Sequence, residues 1–127
     1  PYQFNRSMDV EPWRGLASYI RDVKKIQDEL ADFVFVGEPL SPAEARWSSD
    51  PPKSPAIQHT VYRNPKNDKR ACIVTNRGSA PAAVTLDGFA GRSGSVRVHL
   101  PARAPVSSAL PARITILPER IAFVVEE

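Results

Sequence analysis

A chain of 127 residues is long enough for one domain with a real core. One cysteine, Cys72, excludes an internal disulfide, and with only two histidines it also excludes a Cys/His zinc cluster. The net charge of +3 divides unevenly: Lys53 to Arg103 holds nine Lys/Arg against two Asp, and the remainder is acidic. Most of these cations are dispersed singly among apolar residues, and no aromatic-interleaved motif accompanies them. Solvated strand faces are therefore expected rather than a nucleic-acid surface. No run approaches the ~20 apolar residues of a membrane span, and no cofactor or metal is expected. The chain starts at Pro1 with no initiator Met and no signal-like run, so it is expected to be a piece of a longer protein.

Pro1 to Met8 carries no periodic pattern. Asp9 or Glu11 can cap a helix, and Pro12 suits its first turn. Trp13, Leu16, Ile20, Val23, Leu30 and Val34 then recur at helical spacing, with Ala17 and Ile26 widening the stripe. This pattern predicts one long amphipathic helix over about 12–31 whose stripe must be covered by something. Phe33 to Gly37 fits either a further turn or a short extended segment. Glu38 to Pro55 holds five prolines and no clear period, and reads as a connector at a domain boundary.

From Ala56 the pattern becomes all-β. Its centre is RACIVTNRGSAPAAVTLDGF, Arg70 to Phe89. Two period-2 arms flank a break at Asn76–Pro81, where Asn and Gly tolerate positive φ and Pro81 cannot donate to a ladder. Strands are predicted over 57–63, 70–75, 82–86, 95–100, 113–117 and 121–126. Asn64–Asp68 and Gly88–Gly94 supply turns. The fold class is mainly β: an antiparallel β-sandwich of about six to eight strands, preceded by one long amphipathic α-helix and a Pro-rich connector. Three segments follow: 1–37, a terminal helix belonging to an upstream domain; 38–55, the connector; and 56–127, the sandwich.

The segments LASYIRDVKKIQDELADFVFVGEPL, RACIVTNRGSAPAAVTLDGF and PARITILPERIAFVVEE occur in a recurrent order. The chain resembles the C-terminal end of a (β/α)8-barrel glycoside hydrolase of the α-amylase/α-galactosidase-like kind: a last barrel helix, its exit, and an accessory sandwich. The resemblance implies a non-catalytic region of a carbohydrate-active enzyme that braces the barrel and assists glycan binding. Its partners would be the upstream catalytic barrel of the same polypeptide and carbohydrate. It places Tyr2, Gln3, Asn5 and Arg6 near the active-site rim, because loops preceding barrel helices lie on the catalytic face. It carries no catalytic residue onto this chain, since the paired carboxylates of glycoside hydrolysis would come from barrel strands. The rival reading is a free-standing binding or adhesion module with the helix folded back on one sheet. A third, a small enzyme using His59 or His99, has no Ser or Cys motif behind it.

Trp47 is the main candidate ligand residue, because an indole in a Pro-rich segment can stack on a sugar ring; it can equally staple that segment to its neighbour. Tyr62 and Arg46 are weaker candidates of the same type. Trp13 is expected to anchor the helix. Asp28, Glu29 and Asp32 lie beside Lys24 and Lys25 on a polar helix side, as ordinary charge pairs do. The Gly88–Gly94 segment lacks a P-loop Lys-Ser/Thr and reads as a strand connection. Cys72, within an apolar strand, reads as a core residue.

Overall fold

The computed structural model describes residues 13–34, 36–50, 55–90, 92 and 94–127, and their side chains apart from 13–17 and 34. Helix α1 (Trp13–Glu29) is followed by a single turn, α2 (Ala31–Val34). Among the described residues nine strands follow: β1 (Glu38–Leu40), β2 (Ala45–Asp50), β3 (Ile57–Arg63), β4 (Arg70–Asn76), β5 (Ala82–Phe89), β6 (Ser95–His99), β7 (Val106–Ala109), β8 (Ala112–Ile116) and β9 (Arg120–Glu126). They form two sheets, one of six strands in the order β1-β3-β4-β9-β6-β7 and one of three in the order β2-β5-β8, with every pairing antiparallel. The chain is thus mainly β and sandwich-like.

The six strands expected from period-2 patterning are all present, 57–63 with identical bounds and the others within three residues at their ends. The proline-rich stretch departs from expectation. It was expected as an irregular connector, yet β1 joins the larger sheet through β3 and β2 joins the smaller through β5. Pro39 is tolerated because β1 is a three-residue edge strand. Between these strands, Ser41 caps a 3-10 turn, Pro42–Glu44, its hydroxyl accepting from the Ala43 amide at 3.3 Å. That turn carries the chain from one sheet to the other.

The central pair of strands also separates. β4 lies in the six-stranded sheet and β5 in the three-stranded one, so the Asn76–Pro81 turn is a crossover between layers. Asn76, 1% exposed, holds it in place. Its Nδ2 donates to the carbonyls of Ala80 and Ile116, both at 2.9 Å, and its Oδ1 accepts from the Gly78 amide at 2.9 Å. By contrast β3 and β4 form a true hairpin. Its tip, at Asn64–Asp68, is closed by the Asp68 amide donating to the Asn64 carbonyl at 2.8 Å.

The core lies between the sheets. Cys72 and Val74 of β4 and Ala122 and Val124 of β9 face Val84 and Leu86 of β5 and Ile114 and Ile116 of β8. On β8, buried and exposed residues alternate strictly, because the outer face of the smaller sheet meets solvent. On β9, Ala122 through Val125 are all buried, because its outer face is covered as well. The cover is the helical segment. Phe33 of α2 packs with Ala71 and Val125 on that face, joined by Leu30 and Tyr62. Each large side chain so buried contributes roughly 1.5–3 kcal/mol before entropy. The helix end then turns sharply: the Val36 amide donates to the Ala31 carbonyl at 3.1 Å, and a Cβ at Gly37 would overlap the carbonyl oxygen of Phe33. Only glycine fits that approach.

Candidate functional site

Alternation along the strands separates the three candidate ligand residues. β2 turns Ala45 and Trp47 toward the core and leaves Arg46 on the outer face of the smaller sheet. Tyr62 of β3 lies on the outer face of the larger sheet, beside Phe33. The three therefore sit on different surfaces and do not converge on one ligand.

Trp47 is half-buried and packed against the main core. Its indole Nε1 donates to His59 Nδ1 at 3.0 Å, with the two rings edge-on at 4.9 Å between centroids. His59 Nε2 is 3.0 Å from the Pro42 carbonyl oxygen, which can only accept. That contact places the ring proton on Nε2 and leaves Nδ1 free to accept from the indole. The Trp47–His59–Pro42 set thus links β2, β3 and the crossover turn. Arg46 sits where the register of β2 against β5 shifts, with its guanidinium over Gly88. Gly88 has a φ of 147°, a backbone conformation open to glycine.

His99 is separate, on the outer face of β6 opposite Phe123 of β9. It is 8% exposed, and its Nδ1 has no hydrogen-bond partner among the described residues. Burial pushes its pKa below the ordinary histidine value, opposed by Glu29 and reinforced by Arg97. Cys72 is fully buried, and burial pushes its thiol up to about 12, far from a reactive thiolate.

The densest charge cluster is at the β3–β4 hairpin tip. Asp68 accepts from Arg63 Nε at 2.5 Å and from Arg70 Nη1 at 2.8 Å, and lies 3.3 Å from Arg92 Nη1. These hydrogen bonds, Arg63's first, hold its carboxyl at about 2. Glu126 answers Arg92 Nε at 2.9 Å, and Glu38 answers Arg63 at 2.9 Å. The cluster balances its own charges and fastens the tip to the end of β9. The helix carboxylates are ordinary surface pairs: Asp28 is 3.8 Å from Lys24, and Asp32 is 3.0 Å from Lys66. Among the described residues no group of three His, Cys, Asp or Glu could hold a metal, and no helix is long and apolar enough to cross a membrane.

Tyr2, Gln3, Asn5, Arg6 and the Trp13 side chain lie outside the described residues, as do Gly91 and Ser93 of the glycine-rich segment.

One surface feature escaped the sequence reading. A groove of about 830 Å³ runs between α1 and the edge of the larger sheet where β4 ends and β9 begins, with Tyr19, Ile20, Val23 and Ile121 among its lining residues. The Arg120 guanidinium lies over the Tyr19 ring, 4.3 Å from its centroid. Ile20 and Val23 in the helix stripe were the available signal. The contribution of Arg120, a century of residues away in sequence, had none.

No protein-family model, no curated protein and no solved structure matches the chain.

Proposed function

We propose that this chain is the non-catalytic C-terminal accessory region of a carbohydrate-active enzyme, a glycoside hydrolase, bracing a catalytic (β/α)8 barrel and aiding glycan binding. The observation that carries the reading is the uneven cover of α1. Ile26 is 7% exposed and Phe33, just beyond, is equally buried, whereas Ile20 is 50% exposed. At 100° per residue, positions 13, 16 and 20 share one flank of the helix, and in sequence all three are large and apolar: Trp13, Leu16 and Ile20. A helix with one apolar side on its own sheet and a second apolar flank beside it suits a position between two domains. Glycan contact is the secondary role. Trp47, Tyr62 and Arg46 would serve it from separate faces, not as one platform.

The test is the intact mass of the native polypeptide, with a peptide map locating Pro1, followed by glycosidase assays on the whole protein. A chain several hundred residues longer, with alternating strand and helix patterns before Pro1 and glycosidase activity, supports the reading. A mature chain of about 14 kDa starting at Pro1 would overturn it.

A second reading, a free-standing β-sandwich binding module, draws on one observation: the helical segment already folds back on the larger sheet through Leu30 and Phe33. Another sandwich repeat before Pro1, in place of a barrel pattern, would favour it.

A further inference from the structure

We infer that the groove beside the middle of α1 is a docking surface for an acidic protein segment that carries apolar side chains. The inference rests on the bracing role proposed for α1 and names the chemistry of what is braced.

Two features of the groove point to that occupant. The first is apolar exposure in the right place. Of the large hydrophobic side chains exposed among the described residues, Ile20 (50%) lines the groove. Leu117 (54%) lines a smaller adjoining groove of about 360 Å³ that shares Tyr19, Arg120 and Ile121 with the first. The two recesses are thus contiguous around the Tyr19–Arg120 pair. The Arg120 guanidinium over the Tyr19 ring also joins the helix to the start of β9 at this point, so the recess is part of the fold.

The second feature is charge. Lys24, Arg77 and Arg120 line the larger groove, and Glu119 is the only carboxylate among its described lining residues. Among the described residues neither Arg77 nor Arg120 makes an ion pair, although Arg63, Arg70, Arg92 and Arg97 all do. Lys24 has only an exposed contact at 3.8 Å to Asp28 on its own helix. A cationic rim around an apolar floor attracts carboxylates and repels a basic partner. Burying Ile20 and Val23 beneath a partner's apolar side chains would supply the affinity, and the rim its orientation.

Zero-length cross-linking tests this directly. A water-soluble carbodiimide joins a lysine amine to a carboxylate only at contact distance. The native polypeptide, purified with whatever is bound to it, is treated and its peptides are mapped by mass. The expected product joins Lys24 to an Asp or Glu outside residues 1–127, in a segment with apolar neighbours, in a yield that falls several-fold at high salt. The R77E/R120E variant of the same polypeptide, altered only at exposed side chains, is expected to lose most of that product. The inference is overturned if Lys24 joins only Asp28, if the joined segment is basic, or if R77E/R120E leaves the yield unchanged. The outcome also separates the two proposals. A mature chain starting at Pro1 whose Lys24 joins an acidic segment of another chain keeps the docking surface and removes the barrel. An upstream barrel with Lys24 joined only to Asp28 does the reverse.

Discussion

The indole N–H of Trp47 reaches across from the smaller sheet to donate to His59 Nδ1 of the larger sheet, 3.0 Å away. No backbone ladder connects the two sheets, so cross-layer side-chain contacts of this kind help fix how they sit. Trp47 is thereby engaged at its polar edge and packed at its apolar face. A tryptophan held both ways contributes chiefly to stability. W47F keeps a ring but deletes the donor, and is expected to cost about 1 kcal/mol in urea unfolding. A double-mutant cycle with H59L should return a coupling of about 1 kcal/mol. Additive single effects would show that the contact carries no energy.

Asn76 bridges the layers from the other direction, through Ile116. N76A leaves the buried carbonyl of Ile116 and the part-buried carbonyl of Ala80 without their donor, which is expected to cost about 3 kcal/mol. N76D is nearly isosteric but sets a carboxylate oxygen against the same two carbonyls. It should be at least as damaging at neutral pH and should recover partly on acidification, as the added carboxyl takes up a proton. Equal stability of N76D and the parent at pH 7 would contradict the hydrogen-bond assignment.

These two contacts mark where the sequence was legible and where it was not. The period-2 runs of β3, β4, β5, β6, β8 and β9 were readable because one face of each is packed with Val, Ile, Leu or Phe. β2 was not, since beyond Ala45 and Trp47 its one further inward position, Ser49, is polar and only partly buried. β1 contains a proline, and β7 is a four-residue edge strand with mostly exposed residues. Local pattern also identified the Asn76 turn, but pattern cannot reveal which sheet a strand joins after a turn. That depends on Ile116, forty residues away. The same limit hid the groove, because its cationic rim is assembled from α1, the β4–β5 crossover and the start of β9. Trp47, Tyr62 and Arg46 were chosen for chemistry alone, and alternation then sends them to different faces.

The Cys72 thiol is predicted to be inert in the folded chain. It is fully buried between Val61 and Val124, and its pKa is pushed up to about 12. An aromatic disulfide reagent at pH 8 should label it only at the rate of unfolding, and one equivalent should react in denaturant. Rapid labelling of the native chain would place the cysteine outside the core.

Asp68 predicts a stability change in acid. Its carboxyl is held at about 2, principally by the hydrogen bond from Arg63, against an ordinary value near 4. A depressed carboxylate contributes its full share of stability above the ordinary value, and that share is lost as pH falls from about 4 to about 2. D68N keeps the left-handed backbone at φ 61° accessible and removes the charge. It should be less stable than the parent at pH 6 and should show a shallower loss between pH 4 and 2. Parallel pH curves would mean that the three arginines around Asp68 do not act on it in solution.

His99 predicts a second, separate window with the same sign. Its folded pKa is depressed by burial, so between the ordinary value near 6.5 and the lower folded value the unfolded chain binds the extra proton. Stability from this group is therefore complete above pH 6.5 and falls as the solution is acidified below it. The titratable groups that line the two recesses beside the ring are Asp22, Lys25 and Glu29 on α1, Arg97 on β6, Lys69 beyond the hairpin tip, Arg103 in the loop after β6, and Glu126 and Glu127 at the end of β9. Four cations balance four carboxylates, so desolvation, not net charge, sets the direction. The ring lies among residues of α1, so protonation should loosen the helix before it melts the sandwich. Hydrogen exchange at pH 7.5 and 5.5, corrected for intrinsic rates, is expected to show faster opening of α1 amides at the lower pH while β4 and β9 stay protected. H99Q should abolish that difference. Uniform loss of protection across helix and sheets, or an unchanged α1 response in H99Q, would show that His99 does not control the helix.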